Sequence, residues 1–202
     1  MTHNLLTGQL VRLAAQNPET DPALYAQWTA DSEYLRFLDS DPARPKRSGP
    51  FKEHIEKGFE REYNFAFAVR TLADDRLIGF VSLWLWSWEH ANGGVGIGMG
   101  DPDYRGKGYG TDAMRVALRY AFTELNLERV TLQAAAHNAR GIRSYQKSGF
   151  ELIGHEREWD LRDGQRHGIV TMTVTRANWT NTLGDTLLPY IHDLTRQRTD
   201  TD

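Results

Sequence analysis

Apolar and polar residues recur along this chain with two different periods, and the order of those periods predicts its architecture. Phe65, Phe67 and Val69 fall on every second position, the spacing of a strand with one covered face. A turn over Ala73 to Arg76 then sends Leu77 to Trp88 back beside it. Leu10 to Leu13 predicts a short first strand, Val95 to Met99 a fourth and Arg129 to Ala136 a fifth. Between the fourth and fifth the period changes. Met114, Ala117, Leu118, Ala121, Phe122 and Leu125 recur at three- and four-residue steps, while Asp112, Arg115, Arg119 and Glu124 occupy other faces, the pattern of an amphipathic helix. Asn138 caps a short helix running to about Ser148, and Gly149 ends it as a C′ glycine. A last hairpin joins Phe150 to Leu161 with Gly168 to Val174 through Asp163-Gly164, a favoured type I′ pair.

Ahead of the sheet, Pro22 to Ala30 reads as a helix with Asp21 as its N-cap and Pro22 at its first position. Asp39 to Pro50, with three prolines and the cations Arg44, Lys46 and Arg47, reads as a loop, and Phe51 to Arg61 as a helix. The sum is an α/β (α+β) fold, a mixed sheet flanked by helices. One domain is expected over residues 8–176, followed by a C-terminal extension over 177–202. In that extension Trp179, Leu187, Leu188, Tyr190, Ile191 and Leu194 stand among polar residues. It predicts a helix around Leu183 to Thr195, started or kinked by Pro189, that packs on the core or on another subunit, and a disordered end from Gln197 to Asp202.

With 202 residues and 40% hydrophobic content, the chain can bury one sizeable core. A net charge of -3 argues against a broad basic footprint for nucleic acid. Having no cysteine, the chain has no disulfide, thiolate metal site or cysteine nucleophile, which suits a reducing cytoplasm. Met1 to Gln9 lacks an apolar signal core and no stretch reaches the roughly 20 apolar residues of a membrane span, so a cytoplasmic protein without a membrane partner is expected.

The segment richest in chemistry is Tyr104-Arg105-Gly106-Lys107-Gly108-Tyr109-Gly110-Thr111, which runs directly into the amphipathic helix. Alternate glycines let the backbone bend and bring its N–H groups close to a ligand, and the first turn of the helix adds unpaired donors and a positive dipole end. The combination fits a pyrophosphate. A tight strand-to-helix connection that binds nothing has the same composition. The P-loop pattern fails because Gly108, not Ser or Thr, follows Lys107; the dinucleotide fingerprint fails because the glycines are spaced G-x-G-x-G.

Arg105, Gly108 and Gly110 fill the places of the (Arg/Gln)-x-x-Gly-x-(Gly/Ala) signature, and the loop resembles the acetyl-CoA motif of the GNAT N-acetyltransferase superfamily. A second block, Asn138 through Tyr145 to Lys147-Ser148-Gly149-Phe150, resembles the family's Asn, Tyr and Lys-x-Gly-Phe pattern in the expected order. The resemblance covers about Leu10 to Val174, most closely the branch of RimJ, RimL and the spermidine acetyltransferases. It implies a mostly antiparallel sheet, acetyl-CoA as cosubstrate, no metal, and direct attack by a primary amine in a ternary complex. By the same resemblance, Arg105, Gly106, Lys107, Gly108, Tyr109, Gly110 and Thr111 bind the cofactor. Ile97, Met99 and Gly100 then lie along the acyl-CoA channel, where the fourth strand parts from its neighbour around a bulge; Asn138 contacts the cofactor, and Tyr145 sits beside the sulfur as the acid. Taken alone, Gly94, Gly96, Gly98 and Gly100 also suit a thin strand against bulky neighbours.

An alkylamine near pKa 10.4 must lose a proton before it attacks, and a base is harder to find. Glu89 and His90, between the third and fourth strands, are the candidates, although their place in a loop fits solvated surface better. The fourth strand carries no Asp or Glu from Gly94 to Met99, and His167 and Gly168 stand where related enzymes show an acid. Trp84, Trp86 and Trp88 alternate on one strand face, as core, subunit interface or acceptor site. The expected partner is an amine-bearing acceptor, either a small molecule or a protein N-terminus, with a homodimer as a further expectation. A non-catalytic acyl-CoA sensor on the same fold is the alternative, and the missing base favours it.

Overall fold

The computed structural model describes residues 4–58 and 63–183. Seven strands form one sheet: β1 (Val11–Ala14), β2 (Asn64–Thr71), β3 (Leu77–Ser87), β4 (Asn92–Gly98), β5 (Arg129–Ala135), β6 (Glu151–Arg162) and β7 (Gln165–Thr175), in the order β1-β2-β3-β4-β5-β7-β6. Every neighbouring pair is antiparallel except β4 and β5. That one parallel pair is joined by the long helix α4 (Tyr109–Thr123), the crossover that parallel strands require. Asp163 and Gly164 both have positive φ, 53° and 72°, as the Asp-Gly turn of the β6–β7 hairpin demands.

Helices cover both faces. Alternation along β2 and β3 sends Val69, Val81, Leu83 and Leu85 toward α4, whose Ala113, Met114, Ala117, Leu118 and Phe122 complete the main core. Ala68, Leu77 and Phe80 belong instead to a smaller cluster under α1 (Asp21–Trp28), α2 (Ser32–Leu38) and α3 (Ser48–Gly58). The helix α6 (Arg176–Leu183) follows β7 directly, and its Trp179 is 2% exposed, its ring 5.1 Å from that of Phe122. The start of the C-terminal extension is therefore part of the core. The helix expected over 183–195, apart from its first residue, and the tail after it lie outside the described residues. No helix among the described residues is long and apolar enough to cross a membrane.

Several expectations need correction. Thr20, not Asp21, is the N-cap residue of α1; the Asp21 carboxylate is buried, accepts from the Asn17 amide and pairs with Arg70 at 2.6 Å. α2 was not foreseen. It is two turns long, and its clearest signal is Asp31, whose side chain accepts from the Tyr34 amide at 3.1 Å as an N-cap. α3 begins at Ser48, inside the segment expected as a loop, because Pro50 falls in the first turn, where a missing N–H costs nothing. Asp112, read as a polar-face residue, is buried. Its carboxylate accepts from the amides of Gln9 (3.1 Å), Leu10 (2.7 Å) and Val11 (3.0 Å), fixing the chain where it enters β1.

Candidate active site

The site begins with a gap in the sheet. β4 and β5 pair only where Asn92, Gly93 and Gly94 meet Arg129, Val130 and Thr131; beyond this, Val95 to Gly98 pair with β3 alone. The ladder with β3 is continuous from Gly93 to Gly98, then shifts by one residue across Met99 and Gly100, where the Asp101 amide donates to Ile78. The β5-facing backbone of the end of β4 is thereby left without a strand partner.

The glycine loop lies just past that edge. A 3-10 turn over Pro102–Tyr104 leads into Gly106 and Gly108, at φ 74° and 94°, values that a residue with a Cβ adopts only under strain. Gly108 is the N-cap of α4, so the amides of Tyr109, Gly110 and Thr111 have no helical carbonyl to donate to. The two φ values explain why glycine stands at positions 106 and 108. Gly110 is glycine for another reason: a Cβ there would press on Met99 at 3.3 Å.

Ile97, Met99, Arg105, Gly106, Gly108, Thr111, Asn138 and Tyr145 line a single cavity of about 250 Å³. Two sequence blocks separated by a helix and a strand thus converge. The convergence is fixed by α5 (Ala139–Lys147), which packs against α4 through a 2.8 Å contact between the Thr111 and Ser144 hydroxyls and a hydrogen bond from Arg115 to the Lys147 carbonyl. Asn138 caps α5, its Oδ1 accepting from Gly141 N at 2.9 Å and leaving its NH₂ group as a donor. The Tyr145 ring packs edge-on against Phe150 at 6.2 Å, and no described residue hydrogen-bonds its hydroxyl. Burial pushes that hydroxyl up to about 12, so it stays protonated.

Arg105 does not offer its charge freely. Its guanidinium donates to the carbonyls of Met99 (2.8 Å) and Gly100 (2.7 Å) and to Asp31 Oδ2 (2.6 Å), and lies over the Tyr34 ring. The positive charge around the cavity comes instead from Arg140, Arg143 and Lys147, all exposed and all lining it. From the sequence, Lys147 reads only as part of the Lys-x-Gly-Phe block, and Arg140 and Arg143 are given no role. The three- and four-residue spacing of all three on one face of α5 was the available signal.

Other expected residues fall outside the cavity. Lys107, Tyr109 and Gly110 do not line it; Tyr109 packs against Tyr104, ring centroids 5.0 Å apart. Gly100 lies under Trp28, where a Cβ would enter the indole ring, and Gly94 is covered in the same way by Trp84. Gly94, Gly98 and Gly100 thus accommodate aromatic neighbours, and of these only Gly98 also reaches the cavity. Trp84 packs over β4, whereas Trp86 and Trp88 are 59% and 47% exposed, away from the site. Glu89 and His90 sit in the turn between β3 and β4, at the end of β4 opposite to Ile97 and Met99, about 20 Å along the strand. The structure does not bring them to Tyr145. Among the described residues, no Asp, Glu or His lines the main cavity.

Two further cavities adjoin it. One, of about 180 Å³, lies under α1 and α3 and meets the first along Tyr34 and Leu38, with Tyr25, Phe51, His54 and Phe80 in its wall. The other, of about 230 Å³, lies between α2 and the ends of β5 and β7 and shares Phe37 and Leu38 with the first.

Comparison with known proteins agrees with this geometry. A family model described as "Acetyltransferase (GNAT) domain" matches residues 12–151. The probable N-acetyltransferase YjcK of Bacillus subtilis is 35% identical over 113 residues, which span 56% of this chain and 60% of that protein's length. Spermidine N(1)-acetyltransferase of Vibrio cholerae is 28% identical over 131 residues, 65% of this chain and 72% of that one. The crystal structure of the Vibrio cholerae spermidine N-acetyltransferase in complex with CoA and spermine superposes with a TM-score of 0.74 at 23% identity, covering 84% of this chain and 97% of that one.

Proposed function

The chain belongs to the GNAT acetyltransferase family, and from that premise we infer that it transfers an acetyl group from acetyl-CoA to the primary amine of a small molecule. The observation that carries this reading is the single cavity in which the glycine loop, the unpaired end of β4 and Tyr145 meet. The residues present fit coenzyme A. The free amides at the start of α4 and the positive-φ turns at Gly106 and Gly108 suit its diphosphate, Arg140, Arg143 and Lys147 suit further phosphate charge, and the open edge of β4 suits the amides of its pantetheine arm. When bound, acetyl-CoA supplies a thioester that an uncharged amine attacks without a covalent enzyme intermediate.

The chain's own residues then position and protonate. Ile97 at the end of β4 and Met99 just after it would offer backbone groups to the acyl portion, and Asn138 would add its amide donor to the same cavity. Tyr145, kept protonated by its dry surroundings, donates a proton to the departing sulfur. The adjoining cavities favour a small acceptor over a protein N-terminus, since each encloses a volume suited to one compact amine.

That no carboxylate or imidazole among the described residues lines the main cavity favours a second reading, an acyl-CoA-binding sensor that does not turn over. Free-thiol release separates the two. Purified protein is incubated with acetyl-CoA and, in turn, spermidine, tryptamine, an aminoglycoside and a short peptide with a free N-terminus. Amine-dependent thiol release supports transfer; binding of coenzyme A with no release for any amine supports the sensor.

A further inference from the structure

The cavity between α2, β5 and β7 supplies what the main one lacks. His137 stands at its mouth in the turn that follows β5, and His167 lines it from β7. The two imidazoles lie with ring centroids 4.6 Å apart, and the His137 ring also meets Phe37 at 5.3 Å. Phe37 is part of the wall between this cavity and the main one, and His137 directly precedes Asn138, which lines the main one. An amine seated in this second cavity therefore has the thioester site on one side and an imidazole on the other.

Resting on the acetyl-transfer reading, we propose that His137 is the proton acceptor for the amine and that His167 is a positioning residue that holds its ring at the cavity mouth. The ammonium gives one proton to a ring nitrogen of His137, which passes it to water because His137 is exposed. The uncharged amine then forms the C–N bond as the C–S bond breaks. Tyr145 protonates the sulfur and recovers its proton from the amine nitrogen.

The charges facing His137 suit the role. From β6 come Asp160 and Arg162, which pair with each other; from α2 comes Arg36, held by Asp163 at 2.7 Å, and from the C-cap of α2 comes Asp39; from β7 comes His167. Partial desolvation of its ring, followed by His167 and Arg162, holds His137 below its ordinary value despite Asp160, so the ring is uncharged and able to accept a proton at neutral pH. Sequence reading noticed His167 only as a departure from the family pattern and did not single out His137.

The test is the pH dependence of kcat/KM for thiol release from about pH 5 to 9 with spermidine and tryptamine, in wild type, His137→Gln and His167→Asn, with coenzyme A binding as the check on folding. The expected wild-type profile has an acid limb below about pH 6.5. His137→Gln should lower kcat/KM by about a hundredfold or more and replace that limb with a steady rise toward high pH, with coenzyme A affinity unchanged. His167 helps to hold the His137 value down, so His167→Asn should move the limb to higher pH, a shift that a purely structural role would not produce. A His137→Gln profile matching wild type overturns His137 alone. Absence of thiol release in the wild type overturns the acetyl-transfer reading with it.

Discussion

Asp31 and Arg105 meet at 2.6 Å, and that contact ties the glycine loop to the N-cap of α2, the helix whose Phe37 and Leu38 separate the cavities. Arg105 is bound at three points, so a lysine cannot replace it: a single ammonium lacks the planar fork that reaches Met99, Gly100 and Asp31 together. Arg105→Lys should destabilise the fold by about 1–3 kcal/mol and weaken coenzyme A binding, measured by denaturant unfolding and calorimetry. The effect has a defined pH window. Burial raises the Asp31 pKa, but hydrogen bonds from Arg105 and the Tyr34 amide outweigh it and hold the carboxyl below the usual range. The contribution of the Asp31 contact is therefore complete above about pH 4 and lost as pH falls through the lower folded value, where the gap between wild type and variant should narrow to what the two carbonyl bonds contribute.

Tyr145→Phe removes only a hydroxyl that no described residue hydrogen-bonds, so folding and coenzyme A affinity should be unchanged. Turnover should fall by about a hundredfold or more if the hydroxyl protonates the sulfur. Equal kcat in wild type and variant would take Tyr145 out of that role.

Asp112→Asn replaces an acceptor of three backbone amides by a group that offers one acceptor oxygen and places NH₂ against N–H. Urea unfolding should show a loss of about 2–3 kcal/mol. A loss confined to a few tenths would mean that the β1 entry is held by packing alone.

Most of the sheet, the long helix α4 and the cap of α5 were legible in the sequence because they rest on local rules. Period-two alternation in β2, the three- and four-residue repeat in α4, the Asp-Gly turn and the Asn138 cap each announce themselves within a few residues. What was not legible depends on distant partners. Nothing near Gly100 in the sequence shows that Trp28 covers it, and nothing near Asp112 shows that the amides of Gln9, Leu10 and Val11 surround it. Glu89 was a reasonable base by its place between two strands, but strand direction carries it to the wrong end of β4. α2 was missed because a helix of two turns carries too few repeats to show a period.

Trp179→Ala should cost about 3–5 kcal/mol, since the indole fills core space against Phe122. Ending the chain at Thr175 should be at least as damaging. A truncated chain with wild-type thermal stability would show that α6 is dispensable.

The account depends most on backbone amides around Gly106 to Thr111 gripping a diphosphate, and calorimetric titration with coenzyme A of wild type and Gly108→Val tests this directly. At φ 94° a β-branched residue is strained by at least about 1–2 kcal/mol. The predicted result is saturable binding at one site per chain in wild type, with affinity at least about tenfold lower in the variant. No heat of binding in wild type, or the same affinity in both proteins, would contradict it.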